Sequence, residues 1–291
     1  MQNRIVRDYK IGDIYFRYIG PEFTETEYLK IFRLEDSGIM DPDVVYEMIK
    51  RDKMEVADGI CIHQDRYIDV YQNDDKKIRV IYDEKREYVL MKDIWQSDSY
   101  HRVEYDAERM VFWNTNMMIK IFDIPNQVLL RNGVFLHASC VSYQGQGIVF
   151  TAAKQTGKST QAALWEKYRD AEVINGDRVL LRKTADTWMG YGSPYAGTSR
   201  IFKNKSVAVS TIVVLSQGAE NKVYELNFLD ALRALMEGCT YEIWDRNSIE
   251  RVTDIACDLF KNIKFVKLEC KPDITAVETL EGILWDMKTE I

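Results

Sequence analysis

Gly147-Ile148-Val149-Phe150-Thr151-Ala152-Ala153-Lys154-Gln155-Thr156-Gly157-Lys158-Ser159-Thr160 joins three local signals end to end. Ile148 to Phe150 is a short apolar run, expected to form a buried strand. A loop follows, and Gly157-Lys158-Ser159 then opens a helical pattern through Leu164 and Trp165. Strand, loop and helix in this order are the layout of a phosphate-binding P-loop. Backbone N–H groups in the loop and at the helix start lack intrahelical partners and point toward a bound anion. Ala153, Lys154, Gln155, Thr156, Gly157, Lys158, Ser159 and Thr160 are therefore the expected nucleotide-binding residues. Lys158 supplies a point charge for the outer phosphates, and the Ser159 hydroxyl is a candidate magnesium ligand. Ala152 stands where G-x-x-x-x-G-K-[ST] has its first glycine, which requires negative φ at that position. Lys154 adds a cation inside the loop, which suits a polyphosphate.

The 291 residues allow one large domain or two modest ones. With 46% apolar and 29% charged residues the composition is that of an ordinary soluble globular chain. A net charge of −7 argues against broad nucleic-acid binding. Cys61, Cys140, Cys239, Cys257 and Cys270 show no C-x-x-C spacing and read as buried free thiols in a reducing compartment. No signal peptide and no membrane-spanning apolar run is visible, so the expectation is a cytoplasmic protein without a membrane partner.

The N-terminal part reads as β-rich. Ile5 to Tyr18, Ile60 to Ile62, Tyr67 to Tyr71, Ile78 to Tyr82 and Tyr88 to Met91 are expected strands. Asp41-Pro42-Asp43 is expected to start a short helix carrying Val44, Val45, Met48 and Ile49 on one side. His63 and His101 have no partner at ligand spacing. From Arg109 to Leu130 the pattern turns helical, with Met110, Trp113, Met117, Phe122 and Ile124 inward and Pro125 splitting the segment. This places a boundary near residue 130, with a β-rich region over 1–130 and a nucleotide domain over 131–291. The fold class expected is mixed α/β.

Val134 to Val141 is an apolar strand carrying His137, expected beside the P-loop strand. Ala171 to Asp177 is a strand ending in a carboxylate, the usual place for a magnesium ligand next to a phosphate loop. Tyr191-Gly192-Ser193-Pro194-Tyr195-Ala196-Gly197-Thr198-Ser199-Arg200 is a loop with donors, and Arg200 is a candidate cation for the nucleotide. Thr211 to Leu215 is a short strand. Asn227 is expected to cap a helix burying Phe228, Leu229, Leu232, Leu235 and Met236, with Gly238 as its stop. Asn247 or Ser248 starts another, with Val252, Ile255, Leu259 and Phe260 inward. Phe265 to Leu268 is a strand, and Asp273 caps a last helix burying Val277, Leu280, Leu284 and Met287.

His137 on a strand, the Gly157-Lys158-Ser159-Thr160 loop and Asp177-Arg178-Val179 together resemble the HPr serine kinase family. Gly192-Ser193-Pro194-Tyr195-Ala196-Gly197-Thr198 is similar to the G-S-P-x-x-G-T loop of the branch found in peptide-modification operons. The resemblance spans about residues 130–290. In size and layout the chain is most like the kinases of lasso-peptide precursors. It implies a phosphoenolpyruvate-carboxykinase-like nucleotide domain, ATP with Mg2+ or Mn2+, and transfer to a serine of a peptide or small protein. It also implies Lys158 on the outer phosphates, Ser159 and Asp177 on the metal, and catalytic roles for Asp177, His137 and Lys158. Gly176 departs from the family's Asp-Asp pair, so that either Asp177 doubles as base or His137 assists.

Three functions compete at this point. They are a serine kinase acting on a peptide or small protein, a P-loop NTPase coupling hydrolysis to partner binding, and a carboxykinase-like enzyme acting on a small acid. The third is disfavoured by the lack of an arginine and lysine set near the site.

Overall fold

The computed structural model describes residues 4–35, 41–74, 76–109, 121–153, 156–195, 197 and 199–285. The chain divides into two units, Met1–Gln127 and Val128–Ile291. Both are built on large mixed sheets, and the fold is mixed α/β.

In the first unit the described strands are β1 (Arg4–Ile11), β2 (Ile14–Pro21), β3 (Val44–Arg51), β4 (Ile60–Gln64), β5 (Ile68–Asn73), β6 (Lys76–Tyr82), β7 (Val89–Ser97) and β8 (Tyr100–Asp106). They form one sheet in the order β1-β2-β3-β8-β7-β6-β5-β4. A four-residue helix α1 (Glu27–Lys30) follows β2. β3 corrects the helix expected after Asp41. Val44, Tyr46 and Met48 are buried in strict alternation, a period of two. Asp43, in the stretch expected to start that helix, instead accepts a hydrogen bond from the Tyr15 amide, Oδ2 to N 2.8 Å. Phe122 packs in an aromatic cluster with Tyr9, Phe16, Tyr18 and Tyr46.

His101 is fully buried. Its Nδ1 lies 2.9 Å from Asp93 Oδ1 and its Nε2 3.1 Å from Gln127 Nε2. Both ring nitrogens are thus occupied by protein, which makes this histidine structural. The first half of the helix expected from Arg109 to Leu130, with Met110, Trp113 and Met117, lies outside the described residues. Ile121 and Phe122 are helical, Asp123 at φ +43 interrupts, and α2 (Ile124–Leu129) follows. Pro125 sits in the first turn of α2, so the helical segment is split just before it, as expected.

The second unit contains β9 (Gly133–Tyr143), β10 (Gln146–Thr151), β11 (Glu172–Asn175), β12 (Arg178–Thr184), β13 (Thr187–Tyr191), β14 (Ser206–Gln217), β15 (Lys222–Glu225), β16 (Cys239–Thr240) and β17 (Lys264–Cys270). Its helices are α3 (Lys158–Arg169), α4 (Phe228–Gly238), α5 (Arg246–Asn262) and α6 (Ile274–Trp285). β10 lies between β9, antiparallel, and β14, parallel, and β14 continues parallel to β17. Ile148 and Phe150 face a core shared with Ala162 and Trp165 of α3 and Val277 and Leu280 of α6. Val149 faces the opposite core, with Ala231 and Leu235 of α4 and Val252 and Leu259 of α5. Burial on both faces explains why the run is continuously apolar.

Two long strands change partners part-way. On one edge β9 passes from β12 (Gly133 to His137) to β11 (Cys140 to Ser142), and on the other from β16 (Phe135 and Leu136) to β10 (Ala138 to Tyr143). β14 pairs with β13 over Ser206 to Ala208 and with β10 from Val209 onward. His137 occupies the switch on β9.

Several local expectations change. Cys61 is exposed. In α4 Ala231 and Leu235 are buried and Leu232 and Met236 pack against the same core as expected, while Leu229 is 71% exposed and Phe228 leans on Phe260 at the surface. Asn227 does cap α4, its side chain accepting from the Asp230 amide at 3.0 Å. The cap of α5 is Asp245, not Asn247 or Ser248, and Ser248 is buried in the first turn. Asp273 Oδ1 accepts from the Thr275 and Ala276 amides at the start of α6, and Met287 lies outside the described residues. Among the described residues no helix is long and apolar enough to cross a membrane.

Candidate functional site

The strand-to-helix connection after β10 brings Lys158 into the first turn of α3. Gly157 holds φ +113, a left-handed conformation that suits glycine, and has no side chain to cap the helix. Ser139 from the neighbouring strand anchors the turn, its hydroxyl donating to Lys158 O at 2.8 Å. Lys158 is buried, and its Nζ donates to Ala152 O at 3.0 Å and Ala153 O at 3.3 Å. Burial lowers its pKa, and the Asp177 carboxylate opposes that shift. Ala152 does not adopt positive φ. Thr156 Oγ1 donates to Ala153 O at 2.9 Å, whereas Ser159 and Thr160 present exposed hydroxyls. Lys154 and Gln155 lie outside the described residues.

His137, Asp177 and Arg178 meet at the switch point. Arg178 is the register partner of His137. The Asp177 carbonyl accepts from the Ala138 amide at 3.0 Å and from His137 Nδ1 at 3.1 Å. A carbonyl can only accept, so Nδ1 carries the proton and the neutral ring offers Nε2 as a base. Asp177 Oδ1 lies 3.6 Å from the same Nδ1. The histidine pKa is lowered, first by burial and then by Lys158, while Asp177 pulls the other way. His137 also lines a cavity of about 190 Å3 with Ala152, Ala153 and Glu237. Glu237 was invisible in the sequence because it is an ordinary surface residue at the end of α4, far from any motif.

The Asp177 turn is fixed from below. Asn175 is fully buried, and its Oδ1 accepts from the amides of Asp177 at 2.9 Å and Arg178 at 2.8 Å. Its Nδ2 donates to Ser193 Oγ and Tyr195 O, both at 3.3 Å. The Gly192–Tyr195 loop is therefore a brace for the Asp177 turn. Gly197, at φ +54, packs so closely that a Cβ there would collide with the Asp177 carboxyl. Arg200 is exposed at φ +53 and lines neither of the cavities flanking the Lys158 loop. Lys203 is engaged elsewhere, with Glu172 at 2.9 Å.

Gly176 is set by space. A Cβ at this position would collide with the Ser199 side chain. Gly176→Asp is accordingly expected to destabilise the protein by about 1–3 kcal/mol. At about 2–4 °C per kcal/mol the melting midpoint should fall by several degrees. Adding Ser199→Gly should recover most of that loss. An unchanged midpoint for Gly176→Asp alone would contradict the packing.

No family model matches the chain, and no curated protein matches it. Among solved structures it is similar to the Hpr(Ser) kinase/phosphatase from Coxiella burnetii. That likeness has 11% sequence identity and a TM-score of 0.29, and covers 51% of this chain and 90% of that one.

Proposed function

We propose that this protein transfers the terminal phosphoryl group of ATP to a serine hydroxyl of a peptide or small protein. The observation that carries the reading is His137 beside Asp177, with Lys158 Nζ held by the carbonyls of Ala152 and Ala153, which line the same cavity as His137. A buried ammonium at a helix start binds and stabilises phosphate charge. A neutral imidazole beside it, held through Nδ1, leaves Nε2 to receive a proton. The serine O–H gives its proton to Nε2 as the serine oxygen bonds to the terminal phosphorus. The bridging P–O bond breaks, and ADP leaves with the electron pair. The transition state is loose, so the proton is needed late and a weak base suffices. The acceptor class comes from the sequence resemblance, which points to a precursor peptide of the lasso type.

Magnesium or manganese fits the donors present. Among the described residues no three His, Cys, Asp or Glu side chains form a metal cage. Magnesium needs no such cage, because it keeps waters and takes one or two protein oxygens together with phosphate oxygens. The exposed Ser159 hydroxyl and the Asp177 carboxylate would be those oxygens, and the ion would neutralise phosphate charge.

The test uses ATP labelled in its terminal phosphate, magnesium and a serine-containing precursor peptide. Label on the peptide serine supports transfer. Label released only as free phosphate supports an NTPase that couples hydrolysis to binding. A further expectation concerns pH. Because burial and Lys158 lower the His137 pKa, the acid limb of kcat/KM should fall below the ordinary histidine value near 6.5. His137→Gln should slow transfer about tenfold and remove that limb. A limb that persists unchanged in the variant would make His137 a core residue.

A further inference from the structure

A second cavity, of about 370 Å3, lies on the other flank of the Lys158 loop. Such a volume falls in the usual range for small-molecule sites, about 300–1,000 Å3. One wall is the start of α3, with Gly157, Thr160 and Gln161. The other is formed by Gln217 at the end of β14 and Cys270 at the end of β17, with Pro272 just beyond. β10, β14 and β17 are mutually parallel. The cavity therefore lies outside the carboxyl ends of parallel strands, where α/β sheets bind ligands.

Gln161 gives this cavity its chemistry. The residue is 2% exposed, and its Oε1 has no hydrogen-bond partner. Its Nε2 donates to Cys270 Sγ at 3.3 Å. A buried acceptor without a partner costs about 1–3 kcal/mol. Such a group calls for an explanation, and a ligand donor supplies one. Thiol sulfur is a weak acceptor, so the amide can turn toward the cavity at small cost. Burial keeps the Cys270 thiol protonated, with its pKa raised, so no thiolate competes.

We propose that this cavity receives the base of the donor nucleotide and that Gln161 Oε1 accepts a hydrogen bond from the exocyclic amino group of adenine. This rests on the nucleotide reading of the Lys158 loop. The two cavities then divide the work. The base sits on the Gln161 side, the phosphates cross the helix start, and the terminal phosphoryl group faces His137 and the acceptor.

The experiment measures equilibrium binding of ATP, inosine triphosphate and inorganic triphosphate to the full chain, with magnesium. Inosine carries a carbonyl where adenine carries its amino group, so it would set acceptor against acceptor. The unaltered protein should bind ATP on the order of tenfold or more tighter than either competitor. Gln161→Met, checked for folding by its melting curve, should bind ATP and inosine triphosphate within about twofold of each other while keeping its affinity for inorganic triphosphate. Equal affinities of the unaltered protein for ATP and inorganic triphosphate would overturn the base subsite and leave the phosphate loop standing. A preference for inosine triphosphate would overturn the assigned acceptor. Failure of all three to bind would overturn the nucleotide reading and the subsite with it. The comparison on the unaltered protein decides the matter even if Gln161→Met does not fold.

Discussion

Lys158→Met should lower phosphoryl transfer about a hundredfold or more at saturating ATP while the protein stays folded. Phosphoryl transfer is catalysed by positioning and by charge stabilisation, and Lys158 is the buried cation at the helix start. A hundredfold loss corresponds to about 2.7 kcal/mol of transition-state stabilisation. Stability should move differently. Burial is the main cause of the lowered lysine pKa. A lysine with a folded pKa below its unfolded one costs stability wherever both states are protonated. That cost is relieved only as pH rises through the folded and then the unfolded pKa. At neutral pH it is present, and methionine removes it. Against this stand two lost hydrogen bonds, to Ala152 O and Ala153 O. The two effects oppose, so the melting midpoint should stay within a few degrees of the parent, and far-UV dichroism should match. Turnover within severalfold of the parent would sink the phosphate-loop assignment.

The elements that were legible in the sequence are those where one local pattern has one solution. The continuous apolar run Ile148 to Phe150 before Gly157 could only be a strand covered on both faces, and β10 is covered by α3 and α6 on one side and α4 and α5 on the other. Caps were legible where a side chain satisfies a backbone amide nearby, as Asn227 and Asp273 do. β3 was not legible as a strand, because Val44, Val45, Met48 and Ile49 fit a helical stripe as well as an alternating one. Only partners distant in sequence, β2 and β8, decide between them.

The candidate site divides along the same line. His137, Lys158 and Asp177 each stand at the end of an element with its own pattern. Their convergence depends on both edges of β9 changing partner beside His137, β12 giving way to β11 and β16 to β10, which no local pattern encodes. Asn175, Glu237 and Gln161 were missed for one reason. Each acts through contacts with segments that are remote in the chain: Ser193 and Tyr195, the His137 cavity, and Cys270. Gly176 could be read only as a missing carboxylate, whereas in the fold it is the space that Ser199 fills.

Asp177→Asn should abolish measurable transfer, on the order of a hundredfold or more, and this substitution separates charge from architecture. The backbone carbonyl of Asp177 is what receives His137 Nδ1 and the Ala138 amide, and the Asn175 side chain holds the Asp177 amide. All three contacts survive in the variant. Lost is one negative charge facing the His137 ring, Lys158 and, on the reading proposed here, the metal. Three readouts follow. On the proposed reading transfer should collapse, because the carboxylate that would hold the metal is replaced by a neutral amide. Half-saturation in magnesium should rise. Asp177 raises the pKa values of both His137 and Lys158. Without that carboxylate the histidine pKa should therefore fall further, and any residual activity should keep its acid limb at lower pH than the parent. Asp177→Asn/His137→Gln should be less than the product of the two single effects, since both act on one proton and one phosphoryl group. Transfer within severalfold of the parent, with unchanged magnesium dependence, would remove Asp177 from the metal. A full loss with an unmoved acid limb would keep the metal role and break the coupling to His137.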